Sequence, residues 1–208
     1  MKTTKSFRIS IGLALLALST MIGPAQATNI DFTNPAFIAA AGPTSIPIGH
    51  AEFCATRPNE CVMQISVTDA IPLDNARWQQ LLKVNANANS SIVPVTDAQL
   101  YQTEEFWTYP RGYGDCEDYV LEKRRTLVSL GWPESSLLIT VVRQANGEGH
   151  AVLMVRTDRG DLVLDNQDGL IKLWNETPYR FLKRQSQSHA GHWVELVDTR
   201  PSNQIASL

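Results

Sequence analysis

The spacing of apolar residues predicts two helices. Apolar residues recur at helical spacing in the segment 73–84, where either Asp74 or Asn75 can serve as the N-cap. The stretch that follows is rich in Asn, Ala and Ser and either extends this helix or breaks it. In the segment 115–130, apolar residues fall on one side and basic residues on the other, and Gly131 is a typical helix end. We therefore expect two helices separated by a region that is mostly loop.

Shorter apolar segments separated by turn residues predict an antiparallel sheet in the second half of the chain. β-branched residues dominate the segment 137–143, and the segments 150–156 and 162–166 follow it after glycine-containing turns. The segments 170–174 and 193–197 are candidates for two further strands. A helix followed by an antiparallel meander is typical of the α+β class.

The N-terminal segment has the layout of a secretory signal peptide. Lys2, Lys5 and Arg8 precede an apolar run over 9–22, and the small-residue triplet 25–27 follows. The alternative is an uncleaved membrane anchor, but the run is shorter than the ~20 residues that span a bilayer. We predict cleavage after the triplet.

The remaining chain is predicted to be a periplasmic protein with one domain over 28–198 and a flexible tail over 199–208. Removal of the signal takes away three basic residues and no acidic residue, so the formal net charge moves from −3 to −6. This balance argues against a nucleic-acid partner, which requires a basic face. We expect no membrane span after cleavage, because no later segment is long and apolar enough.

The three cysteines divide into a close pair and an odd residue. Cys54 and Cys61 lie near each other with turn residues between them, and we expect a disulfide between them in an oxidising compartment. Cys116 is left over, and an odd cysteine in an exported protein is either a reactive thiol or a buried inert one. The neighbourhood of Cys116 favours the reactive thiol, because the first turn of a helix lowers the pKa of a thiol.

A histidine and an aspartate complete a possible catalytic group. His150 begins one predicted strand and Asp165 ends the next, so a hairpin between them brings both to the same end of the ribbon. The aspartate can then accept a hydrogen bond from Nδ1 of His150 and leave Nε2 facing the thiol of Cys116. The alternative is a structural histidine and a turn aspartate.

The chain resembles the bacterial transglutaminase-like cysteine proteinases (BTLCP), the family of LapG-type periplasmic proteases, in the motifs GDCEDYVLEKR, GHAVLMV and GDLVLDNQ and in the segment FCATRPNEC. The resemblance covers most of the chain, over about 53–193. It implies Cys116 as nucleophile, His150 as base and Asp165 as the group that orients the base. It also implies a papain-like core shared with transglutaminases, in which the helix that bears the nucleophile packs on an antiparallel β-sheet.

Acidic residues crowd the predicted nucleophile. Asp115, Glu117 and Asp118 flank Cys116, and their charges would raise the pKa of its thiol. A divalent cation would offset this effect, and carboxylate oxygens suit calcium. The resemblance implies calcium ligands at Asp115 and Glu117. The alternative is that the acidic residues cap the helix, which suits Asp118 well.

Two further residues are candidates for supporting the site. Trp107 either supports the oxyanion or lines the cleft, as implied by the transglutaminase resemblance, or belongs to the core. Asn166 directly follows the aspartate and is able to hydrogen-bond within the site.

Three functions remain open on the sequence. The leading hypothesis is an endopeptidase that acts on an envelope or surface protein through a thioester acyl-enzyme. The resemblance implies a surface adhesin as one possible substrate and a membrane receptor as a possible regulator. The second hypothesis is acyl transfer from glutamine side chains to an amine or to water, as a transglutaminase or amidase, since the same triad serves both. The third is a catalytically silent binding module of the envelope.

Overall fold

The computed structural model describes residues 37–205, without the side chains of residues 203 and 204. The predicted signal peptide lies outside the described residues. Within residues 37–205, no helix combines the length and apolar character that crossing a bilayer requires.

A seven-stranded antiparallel sheet forms the centre of the molecule, in the order β1-β9-β8-β4-β5-β6-β7, and a short parallel pair joins β2 to β3. The strands are β1 (Ala39–Thr44), β2 (Val93–Pro94), β3 (Tyr113–Gly114), β4 (Leu137–Arg143), β5 (Gly149–Thr157), β6 (Gly160–Leu164), β7 (Lys172–Leu173), β8 (Arg180–Ser186) and β9 (His189–Val197).

Helices cover one face of this sheet. The α-helices are α1 (Ile48–Thr56), α2 (Asn75–Ser91), α3 (Asp97–Leu100), α4 (Cys116–Ser129) and α5 (Ser202–Ile205), and single turns of 3-10 helix occur at Pro58–Glu60, Glu134–Ser136 and Trp174–Glu176. Helix α4 packs directly against β5, and α2 packs against α4. The architecture is the α+β arrangement expected from the sequence, with a helix packed on an antiparallel sheet.

Most of the predicted elements are present, with changed ends. The first predicted helix begins after Asp74, whose side chain accepts a hydrogen bond from the N–H of Arg77, and it runs through the Asn/Ala/Ser-rich stretch to Ser91. The sequence pattern missed β1, β8 and α1. Strand β1 is exposed along most of its length, so its sequence lacks the apolar alternation that marks a half-buried strand.

Both faces of the central strands are buried, which explains their nearly continuous apolar sequences. Ala151, Leu153 and Val155 of β5 pack into the cluster that includes α4, while Val152 and Met154 pack into a second cluster on the opposite face. The strand that carries His150 is therefore fixed from both sides.

The predicted disulfide between Cys54 and Cys61 is confirmed, and it fixes the end of α1. The imidazole of His50 lies beside it, 3.8 Å from the sulfur of Cys54. Nε1 of Trp193 donates to Nδ1 of His50 over 3.1 Å, and Gln185 contacts the other ring nitrogen. His50 is therefore part of the core beneath α1.

The start of the predicted flexible tail is attached to the domain. The guanidinium of Arg200 is buried, bonds to the carboxylate of Asp198, and donates to the carbonyl of Thr177 over 3.0 Å. Ile205 is also buried, so this segment packs as part of the domain up to that residue. Residues 206–208 lie outside the described part.

Acidification is expected to destabilise the protein through His50. Burial, with a smaller contribution from the charge of Arg124, lowers the pKa of His50 from 6.5 to about 4. The unfolded chain takes up a proton on His50 near pH 6.5 whereas the folded chain does not, so the contribution of His50 to stability is complete above pH 6.5 and falls by about 3 kcal/mol towards pH 4. Urea unfolding at pH 7, 5 and 4 measures this loss. The His50→Gln variant should lose less stability over this pH range than the wild type. The control His192→Gln, at an exposed site, should lose as much stability as the wild type. Equal losses in all three proteins would contradict this role of His50.

Candidate active site

The candidate nucleophile lies at the first residue of α4. Asp115 is the N-cap in extended conformation, and Cys116 follows it. The chain reaches this point through Gly114, where a Cβ atom would lie 2.4 Å from Oδ2 of Asp118. Glycine is therefore required for the close approach of the loop to the helix. The first N–H groups of a helix have no carbonyl partner within it, so they are available to an anion at this position.

The sulfur of Cys116 lies between a carboxylate of its own helix and the start of β5. The thiol donates to Oε2 of Glu117 over 3.1 Å, and the backbone N–H of Ala151 donates to the sulfur over 3.4 Å. Cys116 is the free cysteine of the three. Since Ala151 follows His150, the thiol lies next to the strand residue that carries the imidazole.

The thiol of Cys116 is held in its neutral form by these surroundings. Burial raises its pKa well above the ordinary value, and the charge and hydrogen bond of Glu117 raise it further. The N–H of Ala151 acts in the opposite direction but is the weaker influence. The expectation that neighbouring acidic residues oppose the helix dipole therefore agrees with the geometry.

His150 and Asp165 form a buried pair. Leu153 of β5 pairs with Leu164 of β6, so the hairpin returns Asp165 to the end of the ribbon where His150 lies. Nε2 of His150 is 2.8 Å from Oδ1 of Asp165. The expected roles of the two ring nitrogens were therefore wrong: Nε2 contacts the aspartate, and the side-chain amide of Gln167 lies 3.4 Å from Nδ1. The physical reason is the position of Asp165: its carboxylate lies beyond the end of β6, where it meets Nε2 of the imidazole.

Two groups besides His150 hold the carboxylate of Asp165. The hydroxyl of Tyr179 donates to Oδ2 over 2.5 Å, and the N–H of Gln167 donates to Oδ1 over 3.0 Å. Burial by itself would raise the pKa of Asp165, but the hydrogen bond and charge of His150 and the bond from Tyr179 outweigh it and leave the pKa below the ordinary value. Asp165 is therefore a charged, fixed acceptor. No motif in the sequence singled out Tyr179.

Two cavities meet at Cys116 and His150. One, of about 340 Å³, is lined by residues that include Ile48, Trp107 and Glu117. The other, of about 270 Å³, is lined by residues that include Val95, Asn166 and Gln167. An extended peptide is able to reach the thiol from either cavity.

The structure brings both supporting candidates to this cleft. Asn166 borders the smaller cavity, and Trp107 is buried beside the larger one. The indole N–H of Trp107 donates to Oε2 of Glu105 over 3.0 Å, so in this structure it is engaged by a carboxylate.

Three carboxylates converge next to the thiol. Oxygen atoms of Asp97, Asp115 and Glu117 all lie within 4.8 Å of one another. Oδ1 of Asp97 and Oδ1 of Asp115 are buried without a hydrogen-bond partner among the described residues. Burial is the main cause that raises the pKa of Asp97 to about 6 and that of Glu117 to about 9, and the charge of Asp115 adds to both. Buried, unsatisfied and mutually repelling oxygens fit the requirements of a hard divalent cation.

Asp97 was not among the metal ligands predicted from the sequence. It lies 18 residues before Asp115, at the start of the short helix α3, and its backbone N–H donates to Oδ2 of Asp115 over 3.2 Å. Asp97 also accepts from the N–H of Phe106, and Asp118 accepts from the N–H of Thr108. The acidic cluster therefore also holds the loop that carries Trp107.

A thiol at a helix start, next to a His–Asp pair on an antiparallel sheet, defines the site of a papain-like cysteine hydrolase. Residues 40–201 match the sequence profile described as bacterial transglutaminase-like cysteine proteinase BTLCP. The chain belongs to this family. It is a cysteine peptidase with a transglutaminase-like fold.

Solved structures of LapG from Legionella pneumophila are similar to this chain. Calcium-bound LapG is 27% identical, with a TM-score of 0.50, over 60% of this chain and 71% of that chain. EGTA-treated LapG is also 27% identical, with a TM-score of 0.48, over 60% of this chain and 69% of that chain. No curated protein matched the chain.

Proposed function

We propose that this peptidase is an exported endopeptidase that cleaves a protein of the cell envelope or surface through Cys116, His150 and Asp165. The observation that carries the proposal is the placement of the three groups. The sulfur of Cys116 accepts a hydrogen bond from the backbone N–H of Ala151, the residue after His150. The imidazole of His150 is hydrogen-bonded to the charged, buried carboxylate of Asp165.

The arrangement supports a nucleophilic mechanism with a thioester intermediate. Nδ1 of His150 takes the proton of Cys116, and the sulfur attacks the peptide carbonyl carbon. The imidazolium then protonates the leaving amine as the C–N bond breaks, and the acyl group stays on the sulfur. His150 then deprotonates a water molecule, which attacks the carbonyl carbon of the thioester. The C–S bond breaks, the acid product leaves, and the imidazolium returns the proton to the sulfur of Cys116. Asp165 holds the ring and stabilises the imidazolium throughout.

The start of α4 supplies an oxyanion site in this proposal. The backbone N–H of Cys116 lies at the first helical position and points along the helix axis out of its N-terminus. Trp107 is a wall residue here, because its indole N–H already donates to Glu105.

Calcium is the proposed cofactor, held by Asp97, Asp115 and Glu117. The donor atoms are carboxylate oxygens, which suit calcium, and the similar LapG structure is calcium-bound. When bound, the cation supplies positive charge that offsets the carboxylates beside the thiol. Asp97 connects α3 to the start of α4, because its backbone N–H donates to Oδ2 of Asp115, and Glu117 accepts a hydrogen bond from the thiol of Cys116.

The proposed substrate and regulator are more specific than membership of the family implies. A cysteine peptidase acts on a protein or peptide, and a surface adhesin is the proposed substrate, with a membrane receptor as the proposed regulator. Two cavities, of about 340 and 270 Å³, are lined by both Cys116 and His150, which favours cleavage in an exposed, extended segment of the substrate. Export and a periplasmic location complete the proposal and rest on the N-terminal sequence alone.

Incubation of the mature protein with a diverse peptide library in calcium, with and without methylamine, tests this function. We expect new peptide N-termini, identified by mass spectrometry, and their loss in the His150→Ala variant. The exposed histidine variant His192→Ala is the matched control and should cleave as the wild type does. Methylamide on glutamine side chains without backbone cleavage would overturn the endopeptidase proposal in favour of acyl transfer, and no product of either kind would favour a silent binding module.

A further inference from the structure

A buried tyrosine without a part in the chemical steps above contacts the His150–Asp165 pair. Tyr179 directly precedes β8, and its hydroxyl donates to Oδ2 of Asp165 over 2.5 Å, whereas His150 contacts Oδ1. The centroid of its ring lies 5.4 Å from that of the imidazole of His150. Tyr179 lines neither of the two cavities that meet at Cys116, so it lies behind the pair and not in the path of a substrate.

The hydroxyl of Tyr179 is held in the role of a hydrogen-bond donor. Burial is the main cause that raises the pKa of Tyr179 above its ordinary value, and the hydrogen bond and charge of Asp165 raise it further. The phenol is therefore neutral and keeps the proton that it donates to the carboxylate. A hydrogen bond to a charged acceptor is shorter and stronger than one between neutral groups, so Tyr179 restricts the rotation of the Asp165 carboxylate.

The backbone that carries Tyr179 is held by the last part of the domain. The guanidinium of Arg200 donates to the carbonyl oxygens of Thr177 and Tyr179, over 3.0 Å to that of Thr177. Asp198 holds the guanidinium, since Oδ1 accepts from Nε over 3.0 Å and Oδ2 accepts from Nη2 over 2.7 Å. A guanidinium presents its donors in a rigid planar fork, so this one side chain fixes both carbonyls relative to Asp198.

Hydrogen bonds thus connect the end of the chain to the imidazole through Arg200, Tyr179 and Asp165. The side chains of Asp198 and Arg200 are 1% and 7% exposed, and Tyr179 and Asp165 are buried as well. Oδ2 of Asp198 also accepts from the N–H of Phe181 over 3.1 Å, which fixes the start of β8 next to Tyr179. Hydrogen bonds between buried groups are costly to break, so each link holds the next in a defined position.

We propose that Tyr179 is a positioning residue that orients the Asp165 carboxylate towards His150, and that Arg200 holds Tyr179 in place for this role. The inference rests on the proposed roles of His150 and Asp165. It extends the site beyond the three catalytic residues to the segment that was expected to be a flexible tail. The reactivity of Cys116 then depends on a residue close to the C-terminus, although that residue lies outside the cleft.

The rate of Cys116 alkylation by iodoacetamide in calcium tests the role of Tyr179 and needs no substrate. Tyr179→Phe removes only the hydroxyl, and we expect about tenfold slower alkylation in the wild-type background. In the His150→Ala background no base remains to be oriented, so the same change should alter the rate by less than about twofold. Tyr119→Phe is the matched control. It also removes a buried hydroxyl with a hydrogen bond of 2.5 Å, to the carbonyl of Ile92, and should leave the rate unchanged.

The variant Arg200→Lys tests the second link. Lysine keeps the positive charge beside Asp198 but lacks the planar fork that holds both carbonyls. We expect about fivefold slower alkylation in the wild-type background and less than about twofold further slowing in the Tyr179→Phe background. Thermal unfolding of the same samples shows which variants are folded, and the Tyr179→Phe cycle decides the role of Tyr179 if Arg200→Lys does not fold.

The opposite results would overturn the inference. Equal slowing by Tyr179→Phe in both backgrounds, no slowing in either, or an equal effect of Tyr119→Phe would remove Tyr179 from the positioning of the base. Additive slowing by Arg200→Lys and Tyr179→Phe would show that Arg200 does not act through Tyr179. The proposed function fails separately, through absence of peptide cleavage by the wild type, and the alkylation rates remain informative in that case.

Discussion

The Cys116→Ala variant is expected to lose peptide hydrolysis completely, by a factor of at least about 10³ in kcat/KM. The sulfur is the proposed nucleophile, and no other free thiol exists in the chain to replace it. The fold should be retained, because the thiol makes one hydrogen bond within α4, to the side chain of Glu117, and one long hydrogen bond from the N–H of Ala151 on β5. The change in the free energy of unfolding is expected to stay within about 1 kcal/mol.

The measurement is the rate of cleavage of the best library peptide, combined with thermal unfolding of the same samples. The matched variant Cys116→Ser has a hydroxyl in place of the thiol. It should be inactive as well, because a serine hydroxyl is a far weaker nucleophile than a thiol. Peptide cleavage by the alanine variant at more than about a tenth of the wild-type rate would remove Cys116 from the mechanism.

Calcium is expected to raise the melting temperature of the wild-type protein by roughly 5 to 10 °C at a concentration 100 times the dissociation constant. A ligand at that excess stabilises the folded state by about 2.7 kcal/mol, and 1 kcal/mol corresponds to about 2 to 4 °C in a domain of this size. The physical source is the cluster of Asp97, Asp115 and Glu117, whose carboxylates repel one another and include buried oxygens without hydrogen-bond partners among the described residues. Differential scanning calorimetry in EGTA and in a calcium series measures the shift.

The variant Asp115→Asn distinguishes two interpretations of the acidic residues, as calcium ligands or as helix caps. Asparagine is an equally good N-cap, so the helix start is conserved. We expect the calcium-free variant to be at least as stable as the wild type, because the charge of Asp115, which raises the pKa of both neighbouring carboxyl groups, is gone. We expect calcium to give no further stabilisation. Glu195→Gln, at an exposed position of β9, should respond to calcium as the wild type does. A calcium response that survives in Asp115→Asn would contradict this ligand set.

The local features of the site could be read from the sequence because each depends on a short stretch of chain. The start of α4 at Cys116 follows from Gly114 and Asp115, and the hairpin between β5 and β6 follows from two apolar segments around one turn. The disulfide closes a loop of only a few residues, with a sequence separation of 7. These elements carry Cys116, His150 and Asp165, so the composition of the proposed triad was predictable.

The tertiary structure decided the contacts that join distant segments. Asp97 meets Asp115 because the pairing of β2 with β3 brings α3 to the start of α4, and no spacing rule predicts it. The hydroxyl of Tyr179 donates to the carboxylate of Asp165 from a segment 14 residues further along the chain. The position of this carboxylate beyond β6 also decides that Nε2 of His150, and not Nδ1, contacts it. The sequence by itself determined which residues carry the chemistry, since local propensity and turn position are encoded in neighbouring residues. Only the tertiary structure determined the surroundings of these residues. Their burial, charge balance and hydrogen-bond partners depend on side chains from distant segments, which the sheet and the two packed helices bring together.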